Sequence, residues 1–430
     1  MAFAMEITNN CIVRPALPDH LRQDAVATMP LNLFDKAAGN LHFPTLLAFR
    51  KFPPNQDFVA GLSLALQTYP PMAGRIGRDP HNRLSFILNN AGVRLVEAEI
   101  PARMTDNTLL EDIAFHKNLY PPATPDTQEM LQVQLSRYAC GGLVIGITFC
   151  HPVADGQSMG QFLQAVASGT RGAGPGPAPF LDRNALFVPN DPPQVKFDHL
   201  EVHSSGRSAL PMASSGVENL VIQFPGEFIA QLKERVSFRA TTFEVLLAHL
   251  WRRAVEVRGL PDDEITRVRV AVNGRTRMRP VVPPEYFGNL VLWALPKATA
   301  GELAREGLSG AVGHIRKAVK RMDDEYYRSA IDFGALLEKE GREEETLLPD
   351  EEDWGHQLYP DLEVDSWLGF RFNEADFGRG PPCAVVPPNL PIEGVMAFIS
   401  SAKGKGGVDA FLTVRKEHAD DFKRICKILD

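Results

Sequence analysis

A proline- and glycine-rich stretch from Gly169 to Pro193 separates the chain into two parts. The stretch, GTRGAGPGPAPFLDRNALFVPNDPP, holds six prolines and four glycines. Proline removes a backbone donor and glycine weakens both helices and strands, so this density predicts an irregular linker. The chain has 430 residues, about two to three times the size of a common domain. We therefore expect two domains.

Candidate strands and helices alternate through both parts of the chain. Apolar, β-branched runs predict strands at 84–88, 131–138, 143–150, 220–224, 268–272, 395–399 and 408–414. Helical periodicity predicts helices at 55–69, 158–167, 226–236, 243–257 and 303–321. The order lacks the strict rhythm of a purely parallel sheet, which indicates an α/β protein with mixed sheets.

The charge balance disfavours nucleic acid as a partner. The formal net charge is −8, whereas nucleic-acid-binding proteins usually present a basic face. Nine acids against Lys339 and Arg342 give the stretch 338–353 a local charge of −7, so the rest of the chain is close to neutral. Hydrophobic residues at 44% and charged residues at 23% are typical of a folded protein.

The cysteines indicate a reducing compartment. They are odd in number, scattered and without a CxxC pair, which disfavours a disulfide framework or a zinc site. The first residues, MAFAMEITNN, lack the basic flank and apolar core of a signal peptide, and no apolar run approaches the ~20 residues of a membrane span. We expect a soluble, cytoplasmic protein with no membrane partner and no metal site.

The segment around His151 carries the strongest chemical signal. An apolar strand leads directly into His151, Pro152 ends it, and Asp155 and Gly156 form a turn before a helix. A histidine at the end of a buried strand is fixed in place yet accessible, as a general base must be. The H-x-x-x-D spacing of His151 and Asp155 alone is weak evidence for catalysis. The alternative is a structural histidine with satisfied hydrogen bonds.

The same segment contains a rival motif. Residues 156–160, GQSMG, match the G-x-S-x-G nucleophile elbow of α/β-hydrolases, with Ser158 as the nucleophile. That elbow needs a strand that feeds directly into the serine turn. Here the strand ends at Cys150, eight positions earlier, and Pro152 lies between. A serine esterase is therefore disfavoured.

Seven motifs spread along the chain identify a protein family more specifically together than any one of them does alone. They are PPMAGRI at 70–76, HPVADG at 151–156, PFLDR at 179–183, GRTRM at 274–278, EYFGN at 285–289, VDSWL at 364–368 and DFGRG at 376–380. Over nearly its whole length the chain resembles the BAHD family of plant acyl-CoA-dependent acyltransferases, whose hallmarks are HxxxD and DFGWG. Arg379 replaces the tryptophan of the second hallmark. Within the family, FDKAAGN at 34–40 and HLWRRAVEVRGL at 249–260 are similar to grass amine N-hydroxycinnamoyltransferases, agmatine coumaroyltransferases among them.

The resemblance implies a fold and a domain division. Two chloramphenicol-acetyltransferase-like domains, each a mixed β-sheet with helices, would comprise residues 1–178 plus about 362–386 and residues 216–361 plus about 387–430. A crossover loop at 179–215 would join them. The histidine would lie midway along a channel between the domains, open to CoA at one end and to the acceptor at the other.

The implied activity is transfer of a coumaroyl or feruloyl group from CoA to an amine such as agmatine, putrescine or an aromatic amine. Acyl-CoA is then a co-substrate, no cofactor is bound permanently, and the enzyme acts as a monomer. O-acylation of an alcohol such as shikimate is the nearest alternative. A non-catalytic binder with the same fold is another.

The resemblance also implies roles for single residues. His151 would be the general base, and Asp155 would brace the turn by pairing with Arg275 or, alternatively, Arg277. Gly156 belongs to the same motif. Asp376 and Gly378 belong to the second motif, where a turn-stabilising role for Asp376 is physically better than a catalytic one.

Three further assignments stay open. Trp367 can donate its indole N–H to the oxyanion or can be a core residue. Thr241 and Thr242 cap a helix, and its N-terminus also suits CoA. The acidic stretch 338–353 either attracts a cationic acceptor or is a solvated loop.

Overall fold

Two mixed β-sheets organise the chain. The computed structural model describes residues 5–17, 27–39, 41–105, 117–124, 126–202, 216–342, 358–387, 392–402 and 404–429. In chain order its strands are β1 (Glu6–Val13), β2 (Ala27–Pro30), β3 (His42–Phe49), β4 (Arg75–Arg78), β5 (Leu84–Leu88), β6 (Val93–Ile100), β7 (Leu131–Tyr138), β8 (Leu143–Cys150), β9 (Val217–Phe224), β10 (Ile265–Asn273), β11 (Val291–Ala294), β12 (Lys297–Thr299), β13 (Leu362–Ser366), β14 (Ala384–Val386), β15 (Val395–Ser400) and β16 (Val408–Arg415). Its α-helices are α1 (Leu33–Ala37), α2 (Asn55–Thr68), α3 (Gly156–Thr170), α4 (Arg183–Leu186), α5 (Gly226–Glu234), α6 (Thr242–Arg258), α7 (Ala300–Arg305), α8 (Gly307–Lys320), α9 (Asp324–Lys339) and α10 (Ala419–Ile425).

The first sheet has the order β1–β6–β7–β8–β3–β14 among the described strands. Only β6 and β7 run parallel to each other in this order. The strand β8 is buried along its whole length, and side chains of α2 and α3 share its apolar core. A Cβ at Gly146 would lie 1.8 Å from the Leu119 carbonyl oxygen, so this strand needs a glycine where a neighbouring segment crosses it.

The second sheet has the order β11–β10–β13–β15–β16–β9, with β12 paired to β10. The strands β10, β13 and β15 run parallel, and the other neighbours are antiparallel. Side chains of α6, α8 and α9 fill a second apolar core with this sheet. A small sheet, β2–β5–β4, lies apart from both. The fold class is therefore the predicted mixed α/β one.

The chain returns from the second sheet to the first between β13 and β14. The sequence assigns residues from about 362 onwards to the first domain, but Leu362–Ser366 pairs with β10 and β15 of the second sheet. The strand Ala384–Val386 does pair with β3 of the first sheet. Because Leu362 and Val364 pack into the second core, the return starts after Ser366 rather than at about 362. The division into two domains itself remains a prediction.

The linker is irregular over most of its described length. Its first residues instead end α3, where the Thr170 hydroxyl donates to the Val166 carbonyl and Gly169 lies close against Gly61. A short helix, α4, also interrupts it, because the Asp182 side chain accepts from the Ala185 N–H and caps that turn. The rest of the crossover, residues 203–215, lies outside the described residues.

The helix predicted at 303–321 is two helices. The first helix ends at Arg305, and Gly307, the first residue of α8, has a φ of 63°, a left-handed value that an α-helix does not continue through. The other predicted strands and helices are confirmed, with ends that differ by no more than three residues. No helix in the described ranges is both long enough and apolar enough to cross a membrane.

Candidate active site

A cavity of about 170 Å³ lies where the two sheets face each other. Seven of the residues in its wall are aromatic: Phe34, Phe43, Phe149, Trp293, Trp367, Phe370 and Phe372. The polar and charged members of the wall are Thr45, His151, Asp155, Gln157, Arg269, Asn273, Asn289, Glu363, Asp365 and Ser366. The cavity thus joins residues that are distant in sequence into one site, with a histidine among aromatic and polar side chains.

The end of β8 places His151 in this wall. Its backbone N–H donates to the Leu41 carbonyl oxygen over 2.7 Å, and its ring packs near Phe43 and Phe149 with centroid distances of 6.3 and 5.9 Å. Burial lowers the pKa of His151, against the opposing charge of Asp155. The imidazole is therefore neutral at pH 7 and able to accept a proton.

Asn289, from the EYFGN motif, holds the backbone around this histidine. Its Nδ2 donates to the carbonyl oxygens of His151 and Pro152 over 3.0 and 2.8 Å. The Asn289 Oδ1 and the His151 Nδ1 are both buried, and neither has a hydrogen-bond partner in the described ranges. Sequence reasoning took EYFGN only as part of the resemblance, so Asn289 was missed as a functional residue.

Asp155 lies close enough to His151 for its charge to act on the imidazole, and it contacts Arg275. The two form a buried bidentate pair, with N–O distances of 2.6 and 3.0 Å. The carboxylate also accepts from the backbone N–H groups of Ser158 and Leu290. Burial alone would raise the pKa of Asp155, but the Arg275 charge and these hydrogen bonds hold it below its usual range. The carboxylate is thus a fully engaged anion at the start of α3.

Arg277, the alternative partner, points elsewhere. Its Nη1 donates to the Val319 and Met322 carbonyl oxygens, each over 2.9 Å. These bonds attach the segment after β10 to the end of α8.

Ser158 is enclosed and fully hydrogen-bonded. Its Oγ donates to the Gly288 carbonyl over 2.9 Å and accepts from the Gly288 N–H over 3.0 Å and from Arg275 over 2.9 Å. It has no exposed surface and does not line the cavity. A nucleophile must reach its substrate, and this hydroxyl cannot. The geometry therefore agrees with the sequence argument against an esterase.

Gly156 allows the two motif segments to meet. A Cβ at this position would lie 2.0 Å from the Phe370 ring. Phe370 belongs to the segment between β13 and β14 and lines the cavity. The glycine therefore lets that ring close the wall beside His151.

The DFGRG segment forms a turn away from the cavity. Asp376 Oδ1 accepts from the N–H groups of Gly378 and Gly380 over 2.7 and 2.9 Å, and both glycines have positive φ. Phe377 packs against the rings of three phenylalanines of the first core: Phe49, Phe52 and Phe58. Arg379 is exposed, so a charged residue fits where the family has tryptophan. Asp376 here stabilises a turn and lies outside the cavity wall.

Trp367 follows β13 directly and lines the cavity. Its ring lies edge-on to Phe43 and Phe372, with centroid distances of 5.8 and 5.5 Å. Its backbone N–H donates to Phe398, whereas no acceptor for its indole N–H is present in the described part of the chain. Trp367 thus combines a place in the cavity wall with an indole N–H that no described residue accepts.

Thr241 and Thr242 lie at the N-terminus of α6 and not in the cavity wall. Thr241 forms a capping box with Glu244, and the Thr242 hydroxyl accepts from Lys233 over 2.9 Å. Glu244 is paired with Arg316. A role of Thr241 and Thr242 in CoA binding stays a prediction. The Glu244 carboxylate already lies at this helix N-terminus.

A charged patch on the second sheet was missed by sequence reasoning. Glu363 accepts from Arg269 over 2.9 Å, and the Arg269 guanidinium lies 3.8 Å from the centre of the Trp293 ring. Asp365 lines the cavity beside this pair. It belongs to VDSWL, which was noted only for the resemblance. The alternation of acidic and apolar residues at 362–366 is the sequence signal that could have revealed this patch. In a strand it places both carboxylates on one face.

Two other expectations concern acidic and metal-binding groups. Of the stretch 338–353, residues 343–353 lie outside the described residues, so its steering role stays a prediction. Within the described ranges no group of three or more histidine, cysteine, aspartate or glutamate side chains could hold a metal ion.

Comparisons with known proteins identify the family of this chain. The model of the Transferase family matches residues 3–427. Tryptamine hydroxycinnamoyltransferase 2 of Oryza sativa subsp. japonica is 43% identical, with 100% of each chain covered. Agmatine coumaroyltransferase-1 of Hordeum vulgare is 37% identical, with 94% of each chain covered.

A solved structure shows the fold. The crystal structure of F. sporotrichioides TRI101 complexed with coenzyme A and T-2 matches with a TM-score of 0.72 at 18% identity, covering 92% of this chain and 97% of that one. The family match and the relatives extend over essentially the whole sequence. The chain belongs to the Transferase family, the BAHD acyl-CoA-dependent acyltransferases that its motifs resemble.

Proposed function

We propose that this enzyme transfers a hydroxycinnamoyl group, coumaroyl or feruloyl, from CoA to a primary amine, with His151 as the general base. The observation that carries the proposal is the position of His151. It is a neutral imidazole at the end of a buried strand, facing an aromatic cavity that both sheets form. Relatives named for tryptamine and agmatine acylation support an amine as the acceptor.

His151 moves a single proton in this mechanism. As the amine nitrogen attacks the thioester carbonyl, the neutral imidazole accepts a proton from that nitrogen. The C–S bond then breaks, and the imidazolium gives the proton to the leaving CoA sulfur. Direct transfer in a ternary complex needs no acyl-enzyme, and Ser158 is too enclosed to form one.

Trp367 is the proposed donor to the oxyanion of the tetrahedral intermediate. Its indole N–H has no acceptor within the described residues, and the residue lines the cavity. One N–H donor aimed at a developing oxyanion lowers the barrier by about 3 kcal/mol. The aromatic wall also suits a planar aromatic acyl group.

The co-substrate is acyl-CoA, bound only for the reaction. Thr241 and Thr242 remain proposed contacts for CoA. We further take the enzyme to act as a monomer in the cytoplasm, where all five cysteines stay as the free thiols that the structure contains.

The test is amine-dependent release of CoA thiol from coumaroyl-CoA, with product masses determined for tryptamine, agmatine, putrescine and shikimate. We expect amides and little thiol release without an acceptor. Benzoyl-CoA serves as a second donor. Hydrolysis independent of acceptor, or an ester from shikimate that forms faster than any amide, contradicts the proposal.

Two variants identify the reacting residue. His151→Ala should lower kcat by about 10²- to 10⁴-fold while the Tm stays close to that of the wild type. Ser158→Ala should lower the Tm, because it removes a partner of Gly288 and Arg275, but should still form the amide. Loss of amide formation in folded Ser158→Ala together with an active His151→Ala would point to the esterase instead.

A further inference from the structure

We propose that Gln157 is a second donor to the oxyanion of the tetrahedral intermediate, and that Asn273 turns the Gln157 amide group toward the cavity. The inference rests on the proposed function and adds to it one catalytic residue and the residue that positions it.

Gln157 and Asn273 meet in the wall of the cavity. Gln157 lies in the first turn of α3, directly after Gly156, and Asn273 is the last residue of β10. Both line the cavity and both are half-buried. The Asn273 Nδ2 donates to the Gln157 Oε1 over 2.6 Å. The pair thus joins the start of α3 to the second sheet.

The orientation of the Asn273 amide is fixed by its other contacts. Its Oδ1 accepts from the backbone N–H of Arg275 over 3.0 Å and from the Arg275 guanidinium over 3.3 Å. Rotating the amide by half a turn would place its NH2 group against both of these donors. Asn273 therefore offers an N–H to Gln157, and Gln157 has to turn its own oxygen toward Asn273.

This orientation leaves the Gln157 NH2 group as a donor in the cavity wall. No described residue accepts a hydrogen bond from the Gln157 Nε2, and this nitrogen is not buried. Because Asn273 already holds the other end of the amide, little freedom remains to be lost when a ligand accepts from it. The group is preorganised for an oxygen that a substrate supplies.

The chemistry of the two substrates decides which of them supplies that oxygen. Tryptamine, agmatine and putrescine contain no oxygen atom, and their ammonium, guanidinium and indole groups are hydrogen-bond donors. Acyl-CoA carries carbonyl oxygens, and the thioester oxygen is attached to the carbon that the amine attacks. The Gln157 NH2 group is therefore complementary to acyl-CoA and not to the amine.

Gln157 and Trp367 are connected through Phe370. A Cβ at Gly156 would lie 2.0 Å from the Phe370 ring, so the start of α3 touches this ring. The rings of Trp367 and Phe370 lie 6.3 Å apart between centroids. Gln157 and Trp367 thus belong to the same part of the wall, and each has an N–H that no described residue accepts. Two such donors on one oxygen form an oxyanion hole.

The two donors stabilise the charge that develops during acyl transfer. As the amine nitrogen attacks, the π electrons of the thioester C=O bond move onto its oxygen. The Gln157 and Trp367 N–H groups donate to this oxygen and keep their protons. The C=O bond then re-forms, the C–S bond breaks, and the CoA sulfur takes the proton from His151. Both hydrogen bonds are stronger to the oxyanion than to the neutral carbonyl, so losing one lowers kcat more than it raises KM.

The first test is Gln157→Met, which keeps the length of the side chain and removes its N–H groups. With coumaroyl-CoA and tryptamine we expect kcat and the single-turnover rate to fall about 100-fold, as for the loss of one oxyanion donor. The KM values of both substrates and the Tm should change little. Gln161→Met is the matched control, because Gln161 lies one turn later on α3 and donates to the Pro284 carbonyl outside the cavity wall. Its kcat should equal that of the wild type.

Asn273→Asp tests the orientation without changing Gln157. The new carboxylate still accepts from Arg275 but has no N–H to donate, so the Gln157 amide should turn and donate to that carboxylate. The cavity then receives the Gln157 oxygen in place of its NH2 group. We expect a loss of kcat close to that of Gln157→Met, and no further loss in the double variant.

Amide formation by the wild type separates the two proposals. If the wild type forms no amide with any amine, the proposed function fails and this inference with it. If the wild type is active, an unchanged kcat in Gln157→Met overturns the inference alone. A raised KM for coumaroyl-CoA at unchanged kcat also overturns it, because Gln157 would then bind acyl-CoA before the reaction and not the oxyanion. Losses that multiply in the double variant would show that Asn273 does not act through Gln157.

Discussion

At the scale of single residues, the pH dependence of the reaction depends on His151 and on the amine itself. Burial lowers the pKa of His151, so the imidazole is neutral at pH 7 and can accept a proton. The nearby charge of Asp155 opposes that shift, and this carboxylate is itself bound to Arg275. Because the general base is already neutral, the protonation of the acceptor amine is the remaining pH-dependent step.

This sign predicts the shape of kcat/KM for the amine. Only the neutral amine can attack the thioester, so kcat/KM should rise about tenfold per pH unit toward the amine pKa of about 10. Initial rates from pH 5.5 to 9.5 measure the curve. A plateau that begins near pH 7 would show that the enzyme itself removes a proton from the bound ammonium form.

The residues around this site differ in how far sequence alone reveals them. His151 and Asp155 are predictable because their roles follow from one local pattern, a strand, a proline and a helix start. The ion pair of Glu363 and Arg269 in the cavity wall is not, because it depends on which face of a strand meets another sheet and on which strand lies beside it. Both facts come from strand pairing across about 90 residues of sequence.

At the scale of elements, the start of α3 combines a cap with a buried ion pair. Asp155 accepts from the Ser158 N–H as the N-cap and holds Arg275 by two bonds. In Asp155→Ala the helix loses its cap and the guanidinium is left buried without its carboxylate. We expect the free energy of unfolding to fall by about 3–5 kcal/mol, as measured by urea denaturation.

A double variant separates the two causes. In Asp155→Ala/Arg275→Met the stranded charge is absent, so part of the lost stability should return. A single variant as stable as the wild type would show that Asp155 does not brace the turn. A double variant less stable than the single one would show that Arg275 stabilises through Ser158 and Gly288 instead.

The elements themselves follow largely from local patterns. The strand 143–150 and the helices 55–68 and 242–258 lie close to where periodicity predicts them, because one buried face specifies each. The break at Gly307 was missed, since apolar spacing continues through a glycine whose φ is set by packing. The turn of DFGRG likewise depends on Phe377 meeting phenylalanines more than 300 residues earlier.

At the scale of the whole molecule, the site exists only because distant segments converge. Asp35 of α1 is paired with Arg183 of the crossover, and both are buried. Asp35 also accepts from the backbone and side chain of Asn289, each over 3.3 Å. Asn289 in turn holds the backbone of His151. This set of contacts cannot be predicted from local sequence patterns, because each contact joins residues more than 100 positions apart.

Because Arg183 pairs with Asp35, we expect its substitution to lower the stability of the protein although it does not line the cavity. In Arg183→Ala the buried Asp35 loses its cation, and we expect unfolding to become about 3–5 kcal/mol easier. The exposed Arg379→Ala should stay within about 0.5 kcal/mol of the wild type. Burial already raises the pKa of Asp35, and Arg183 opposes that effect. Without Arg183 the pKa rises further, so protonation at lower pH should relieve the loss.

The deficit of Arg183→Ala relative to wild type should therefore shrink as the pH falls from 7 to 5. Urea denaturation at both values measures it. The uncharged double variant Asp35→Asn/Arg183→Met should regain stability without this pH dependence. A deficit that is equal at both pH values would show that the lost stability is packing of the guanidinium on Phe86 rather than the stranded carboxylate. Because Asn289 connects Asp35 to His151, kcat of the folded Arg183→Ala enzyme should also fall, while its KM for coumaroyl-CoA stays near that of the wild type.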